Sequence, residues 1–546
     1  MQLTRTLSIF ALYLISFLKC EYMTRLLYPI GVQSFSEIRE GGYVYVDKTE
    51  YIHRLISSGK YYFLSRPRRF GKSLLLSTIE EFFKGRKDLF NGLAIARYDN
   101  AWLQAPVLHL DLTGSNYNSP ESVAVHLDDF LSGWENKYNI NPADRNAFGL
   151  RFKNVIVEAH RQSGQKVVIL VDEYDKPLLE TIDRPDLQDI YKGDLRSFYS
   201  NLKSQDSHIC FAMLTGVTRF GHLSIFSDLN NLNDISMLEE YSGICGVTEE
   251  ELHGYFRQSI EDLAEKRNIS AEKAFENLRI NYDGYHFSPE GSPDIYNPFS
   301  LLNSLQKKNF GDYWFRTGTP TFLVRMIKSR QLSLQKLNEV EISQSAVENV
   351  SFDMRSSLIP VLYQTGYLTI KGYRPEVDML KLGFPNREVE QGFFLQLMSV
   401  YMPRPDEDSA FSIVRFYDDV CASRAEAFMT RLQSFFSDFD RDGFNRINLE
   451  QHYQDIIFIV AKLLGFLTHI EYKTSSGRID MVIETPNYVY VFEFKMDKSA
   501  EEALRQINGK SYTLPFKADK RNLIKIGANF SSKIRGLDSW IIEEVR

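Results

Sequence analysis

The sequence predicts an α/β chain, with a parallel sheet and crossover helices in its first half, a helical lid and mixed connector next, and a smaller α+β unit last. Three observations predict it. From about residue 60 to 245, short apolar runs alternate with longer amphipathic ones, the pattern of strand–helix–strand units. One run, "KVVILVDEYD" (166–175), is apolar without alternation, as expected of a strand buried on both faces. From about 445, a helical stripe precedes two strand-like runs, "GRIDMVIE" and "YVYVFEFK", separated by a turn.

Composition bounds the reading. A chain of 546 residues suits two to four domains, each able to bury a core. With 43% hydrophobic and 13% aromatic residues the chain is folded rather than disordered. Its net charge of −7 means that any surface tracking nucleic-acid phosphates must be local, because the chain as a whole repels a polyanion. Cys20, Cys210, Cys245 and Cys421 form no C-x-x-C pair, which argues against a disulfide framework or zinc cluster and for a reducing cytoplasm.

In chain order, "LSIFALYLISFL" (7–18) is an apolar run like a signal-peptide core, too short to span a bilayer and followed by no A-x-A-like cleavage site. Met23 opens "MTRLLYPIGVQSF", so a start at Met23 is the expectation and export the alternative; residues 1–22 are set apart and no membrane partner is expected. Residues 23–245 hold the sheet, with strands expected at "YYFLS" (61–65), "PVLHLDLTG" (106–114), 166–175 and "HICFAMLTG" (208–216), and a helix at 72–85. The polar helical pattern of 246–310 reads as a lid, 311–440 as a mixed connector, and 441–546 as the α+β unit.

"SRPRRFGKSLLL" (65–76) ends as a phosphate-binding loop ends, with Gly71, Lys72 and Ser73 entering a helix. Arg66 and Pro67 stand where the usual first glycine would be, which removes a flexible turn and a donor N–H. Arg69 and Arg68 offer compensating cations, and the 66–73 loop is expected to bind ATP, with Ser73 on Mg²⁺. One strand–helix unit downstream, "VVILVDE" ends in two acids, Asp172 for the metal and Glu173 for the attacking water. A buried strand ending in an acidic turn is common for either segment alone; both in this order are rare. The next strand ends in "MLTGVTRF", where Thr215 stands at the place of a γ-phosphate sensor and Arg219 follows; a plain strand end explains these two equally well.

At the C-terminus, Asp480 opens one strand while Glu493 and Lys495 share a face of its partner, because side chains alternate along a strand. D-x₁₂-E-x-K of this kind suits a Mg²⁺-dependent nuclease, with Asp480 and Glu493 as ligands and Lys495 near the water and the phosphorane charge. The plain alternative is an amphipathic hairpin with a surface ion pair. Upstream, Glu450 lies one turn before the stripe Tyr453, Ile457, Val460 and Leu464; downstream, Gln506, Lys510 and Tyr512 follow on a helix. "DFDRDG" (438–443) copies the start of a calcium loop, but its twelfth position is Leu449 rather than Glu, so it reads as a polar turn.

Together these segments resemble the bacterial AAA-ATPase-like proteins that carry a PD-(D/E)XK nuclease-like domain at the C-terminus. The resemblance runs from about Met23 to the end, on "YPIGVQSFSEIREGGYVYVDKT", "RPRRFGKSLLLST", "VDEYDKP", "LTGVTRF", "GRIDMVIE" and "FEFKMD". It implies a P-loop NTPase sheet followed by a restriction-endonuclease-like α+β domain. In that family the Arg-Pro-Arg-Arg-Phe loop is a regular trait, which implies nucleotide binding more than rapid turnover; Glu450 matches an extra carboxylate, and Gln506 and Tyr512 match residues that steady the centre. The implied cofactors are ATP and Mg²⁺, and the expected partners are ATP, DNA or RNA, and an oligomeric or protein partner. A nucleotide-binding switch that recognises nucleic acid or a protein without cutting remains the alternative.

Overall fold

The computed structural model describes residues 26–98, 102–182, 184–219, 231–318, 334, 337, 339–348, 357–401, 413–437, 449–464, 467–474, 477–534 and 536–545. The apolar run 7–18 and the calcium-loop-like turn 438–443 lie outside them. By its internal contacts the chain forms two units, one comprising 1–318 with 342–381 and the other 319–341 with 382–546. The stretch read as a connector is thus shared between them.

In the first unit, β1 (Tyr61–Ser65), β2 (Val107–Asp111), β3 (Val167–Asp172), β4 (Ile209–Gly216) and the two-residue β5 (Asn233–Asp234) form one sheet in the order β2-β3-β4-β1-β5. The pairings are all parallel. All six residues of β3 are buried, which is why its sequence does not alternate. Helix α1 (Lys72–Phe83) follows β1 and buries Leu75, Leu76, Ile79, Phe82 and Phe83, a stripe at helical spacing. Parallel strands send their C-terminal ends to one edge, so the loops after β1, β3 and β4 meet there.

The lid is built from α2 (Glu249–Arg267), α3 (Ala271–Tyr282) and α4 (Pro298–Lys307). A capping box starts α2: Thr248 Oγ1 accepts from the Glu251 amide and Glu251 accepts from the Thr248 amide. The same Glu251 carboxylate takes both its oxygens to within 2.6 Å of Lys48 Nζ, fastening the first turn of α2 to the segment ahead of β1. Phe256, Ile260, Leu263, Leu278 and Leu301 close the lid core.

In the second unit, α5 (Leu449–Leu463) precedes a sheet of β6 (Leu467–Thr474), β7 (Gly477–Glu484), β8 (Tyr488–Met496), β9 (Asn522–Ser531) and β10 (Gly536–Val545), ordered as in the chain. The expected strand pair is β7 and β8, joined with Met481 opposite Phe492; three further strands extend it. Only β8 and β9 run parallel, so a crossover must join them, and α6 (Ala500–Gly509) supplies it.

Helix α6 lies directly on β9 at Gly527. A Cβ there would stand 2.5 Å from the Leu504 amide nitrogen and 2.7 Å from the Ala500 carbonyl, backbone atoms that cannot turn aside. Gly527→Ala is therefore expected to destabilise the second unit by about 1–3 kcal/mol, the usual cost of overpacking. Urea unfolding monitored by hydrogen exchange in residues 500–531 checks it, and an unchanged midpoint would refute the close contact.

Two candidate active centres

The first centre lies at the C-terminal edge of the parallel sheet. Gly71 has φ +96°, a conformation glycine adopts without strain, and it turns the chain into α1. Lys72, the first residue of α1, is only 4% exposed. Its Nζ donates to the carbonyls of Arg66 (3.0 Å) and Pro67 (3.4 Å) and pairs with Glu173 Oε1 at 3.1 Å. Asp172 ends β3 with its Oδ1 accepting from Thr215 Oγ1 at 2.6 Å, and Ser73 at the start of α1 is near enough to favour its charged form. Burial, then the charge of Glu173, pushes the Asp172 carboxyl above its usual range, while Ser73, Thr215 and Lys72 pull it back.

Glu173 itself has φ +52°, which costs a residue with a side chain on the order of 1 kcal/mol. Lys72 receives its carboxylate in that conformation. Asp175 lies two residues on, fully buried, and accepts from the amides of Val217 and Thr218 and from Thr218 Oγ1. Burial, then Glu173, pushes its pKa up to about 6. Asp175 is a structural partner to which sequence reasoning assigns no role; its signal is the last acid of "VDEYDKP".

Gly71, Lys72, Ser73, Arg68, Arg69, Thr113, Glu173 and Lys176 line a cleft of ≈ 400 Å³, bounded elsewhere by Pro29 to Gln33 and by Pro298 and Phe299 of the lid. The Arg69 guanidinium lies 4.7 Å from the Phe299 ring centre. Four cations and a helix N-terminus facing one cleft suit a polyphosphate. Four residues assigned to nucleotide do not line this cleft. Asp172 and Thr215 are buried and bonded to each other behind it. The Arg66 guanidinium is buried, bonded to the carbonyls of Ser65, Ser236 and Tyr241 and stacked 4.1 Å from Phe287. Arg219 is paired with Asp234 at 3.1 Å and Glu348 at 3.2 Å. Arg66 and Arg219 both line a separate, smaller pocket.

The second centre is on the face of β7 and β8. Asp480 Oδ2 accepts from the Phe494 amide at 2.8 Å, which ties its carboxylate to the neighbouring strand. Glu493 is 1% exposed, and its Oε1 accepts from Lys495 Nζ at 2.8 Å and from Gln506 Nε2 of α6. Gln506 also reaches the hydroxyl of buried Tyr512 at 3.3 Å. Glu493 Oε2 is buried with no hydrogen-bond partner among the described residues. Burial, then repulsion by Asp480, pushes the Glu493 pKa up to about 7 against the pull of Lys495 and Lys510.

Sequence reasoning places Asp480, Glu493, Lys495 and Gln506 together, and the structure brings them together. Glu450 belongs to α5, but its side chain lies outside the described residues. Among the described residues no group of three or more His, Cys, Asp or Glu side chains is arranged to hold a metal. The two carboxylates still fit a divalent cation, because an unpartnered buried oxygen beside a like charge lacks the neutralising partner that such an ion provides.

Two family models match the chain: one described as predicted AAA-ATPase, over residues 29–226, and one described as the PD-(D/E)XK nuclease superfamily, over 448–540. A protein of Azotobacter chroococcum mcd 1, described as an uncharacterized protein in the vnfD 5′ region, is 35% identical over 541 residues, which is 96% of this chain and 100% of that relative. The chain belongs to the AAA-ATPase-like proteins with a C-terminal PD-(D/E)XK nuclease-superfamily domain. The first centre lies in the AAA-ATPase-like match and the second in the nuclease-superfamily match. Among the described residues no helix is long and apolar enough to cross a membrane.

A carboxyl whose folded pKa is raised from 4.5 to about 7 contributes stability that is fully present below pH 4.5 and lost as pH rises through 7. Without metal, the nuclease-like domain is expected to melt lower at pH 8 than at pH 5, by a free energy on the order of 2–3 kcal/mol. Mg²⁺ should restore the loss at pH 8, and Glu493→Gln should remove this part of the slope. Thermal scans of both chains with and without Mg²⁺ test this; identical pH slopes would refute it.

Proposed function

We propose that the chain is an ATP-binding protein and slow ATPase whose nucleotide state controls a Mg²⁺-dependent, phosphodiester-cleaving centre acting on DNA or RNA. The observation that carries the reading is Glu493, a buried carboxylate held by Lys495 and Gln506 while its second oxygen stands unpartnered beside Asp480. An ordinary hairpin ion pair has no reason to bury such a group, and leaving it so is costly.

At the first centre the Gly71 amide and the α1 N-terminus face the phosphates, and Lys72 turns from Glu173 to the charge on them. Glu173, released from Lys72, accepts a proton from the attacking water. Ser73 and Asp172 are the residues that would hold Mg²⁺, with Thr215 keeping the Asp172 carboxylate in place. Turnover is slow because Lys72 must leave an ion pair and two carbonyls before it can serve the phosphates.

At the second centre Asp480 and Glu493 would hold Mg²⁺, joined by Glu450. When bound, the metal supplies Lewis-acid activation of the phosphodiester and of water. Gln506 fixes Glu493, with Tyr512 behind it, so the carboxylate cannot swing from the site. Lys495 is close enough to orient the water and to offset charge on the phosphorane.

Lys72→Ala is expected to cost about 1.5–3 kcal/mol of ATP binding by calorimetry, the range for hydrogen bonds to charged groups. Glu173→Gln should bind ATP and hydrolyse it more slowly. Asp480→Ala should abolish cleavage of labelled single- and double-stranded DNA and RNA while ATP affinity holds. If the wild type binds Mg²⁺ at neither carboxylate and cuts none of these in any nucleotide state, the non-cutting switch takes the place of the nuclease.

A further inference from the structure

The loop 66–70 lacks the glycine that would let it move freely, and downstream parts of the first unit grip it residue by residue. Arg66 is fixed by the Ser236 and Tyr241 carbonyls and the Phe287 ring. Pro67 packs on Gly366, which has φ +90°; a Cβ there would stand 2.6 Å from the Pro67 Cβ. The Arg68 carbonyl accepts from the buried Trp314 indole at 3.0 Å. Phe70 meets Tyr285 edge-on at 4.8 Å.

The segment 342–381 also touches the far side of the site. The Arg219 amide donates to Gln364 Oε1 at 2.7 Å, while its guanidinium pairs with Glu348. Arg219 is four residues beyond Thr215, the partner of Asp172, and Asp175 pins the residues between them. Segment 342–381 therefore contacts the phosphate loop at Pro67 and the β4 end at Arg219. It belongs to the first unit, yet the chain on both sides of it, 319–341 and 382 onward, belongs to the second.

We propose that residues 342–381 are the element through which nucleotide occupancy is transmitted to the nuclease-like unit, and through which that unit biases nucleotide affinity in return. The inference rests on the reading that the first cleft binds ATP. Lys72 is the lever. Its ammonium holds the Arg66 and Pro67 carbonyls, and on turning to phosphate it would release these two carbonyls, which flank the proline ring that packs on Gly366. The segment is gripped at the site and is continuous in the chain at both ends with the other unit. Linkage then makes the effect reciprocal. The Arg66-Pro67 replacement has a purpose on this account: a loop held by its neighbours reports its occupancy to them, as a free glycine turn would not.

The test uses the full chain, a non-hydrolysable ATP analogue with Mg²⁺, calorimetry for affinity, and hydrogen exchange of peptides spanning 359–374. In the wild type, analogue binding should change exchange in those peptides by about threefold or more. Gly366→Ala, which drives a methyl into Pro67, should weaken analogue binding about tenfold. Glu348→Gln removes one charge from the Arg219 fork without touching the loop; it should keep affinity within about twofold and diminish the exchange response. Binding with unchanged exchange in 359–374 overturns the coupling and leaves the ATP reading intact, whereas no binding at all overturns both. If circular dichroism shows that Gly366→Ala does not fold, Glu348→Gln decides, and a full wild-type exchange response in it overturns the proposal.

Discussion

Every residue of β3 is buried, so the strand can carry a charged side chain only at its C-terminal end, and the organisation of the first unit follows from what stands there. Asp172 is held by Thr215 from β4, which locks two neighbouring strands to one carboxylate, with Ser73 of α1 close by. The acids after it divide the remaining tasks. Glu173 bends back to Lys72 through a left-handed conformation, and Asp175 turns inward to satisfy the amides after β4. Three acids within four residues can coexist in so dry a place only because each has its own donors; the raised pKa values of Asp172 and Asp175 record their burial first and the nearby charge of Glu173 second.

Much of this was legible in the sequence because it is local. Apolar runs marked the four long strands of the parallel sheet, and the order GKS, then VDE, placed loop and acids on one edge. The period of two in "YVYVFEFK" placed Glu493 beside Lys495. What the sequence hid is non-local. Arg66 reads as a phosphate cation until Ser236, Tyr241 and Phe287, all 170 or more residues away, are seen to enclose it. Arg219 reads as a nucleotide-binding candidate until Asp234 and Glu348 are seen to pair with its guanidinium. The two strands beyond α6 escaped notice because "NLIKIGANFS" and the run from 536 carry no motif, and only pairing, β9 with β8 and β10 with β9, gives them a place.

The second centre illustrates how topology serves chemistry. A parallel pair inside an otherwise antiparallel sheet requires a crossover, and the crossover helix is the element that carries Gln506 over Glu493. Gly527 lets that helix sit directly on the sheet, so the amide of Gln506 can reach a carboxylate that is almost wholly enclosed. Tyr512, just past the helix, backs the same amide. Asp480 is fixed differently, by the Phe494 amide of the adjoining strand.

The capping box at the start of α2 has a mechanical consequence. Glu251 closes the helix terminus and at the same time clasps Lys48, so the near end of the lid is bolted to the chain that leads into β1. One side chain thus does two jobs for segments 203 residues apart, so replacing Glu251 would remove the helix cap and the tie to Lys48 in a single step.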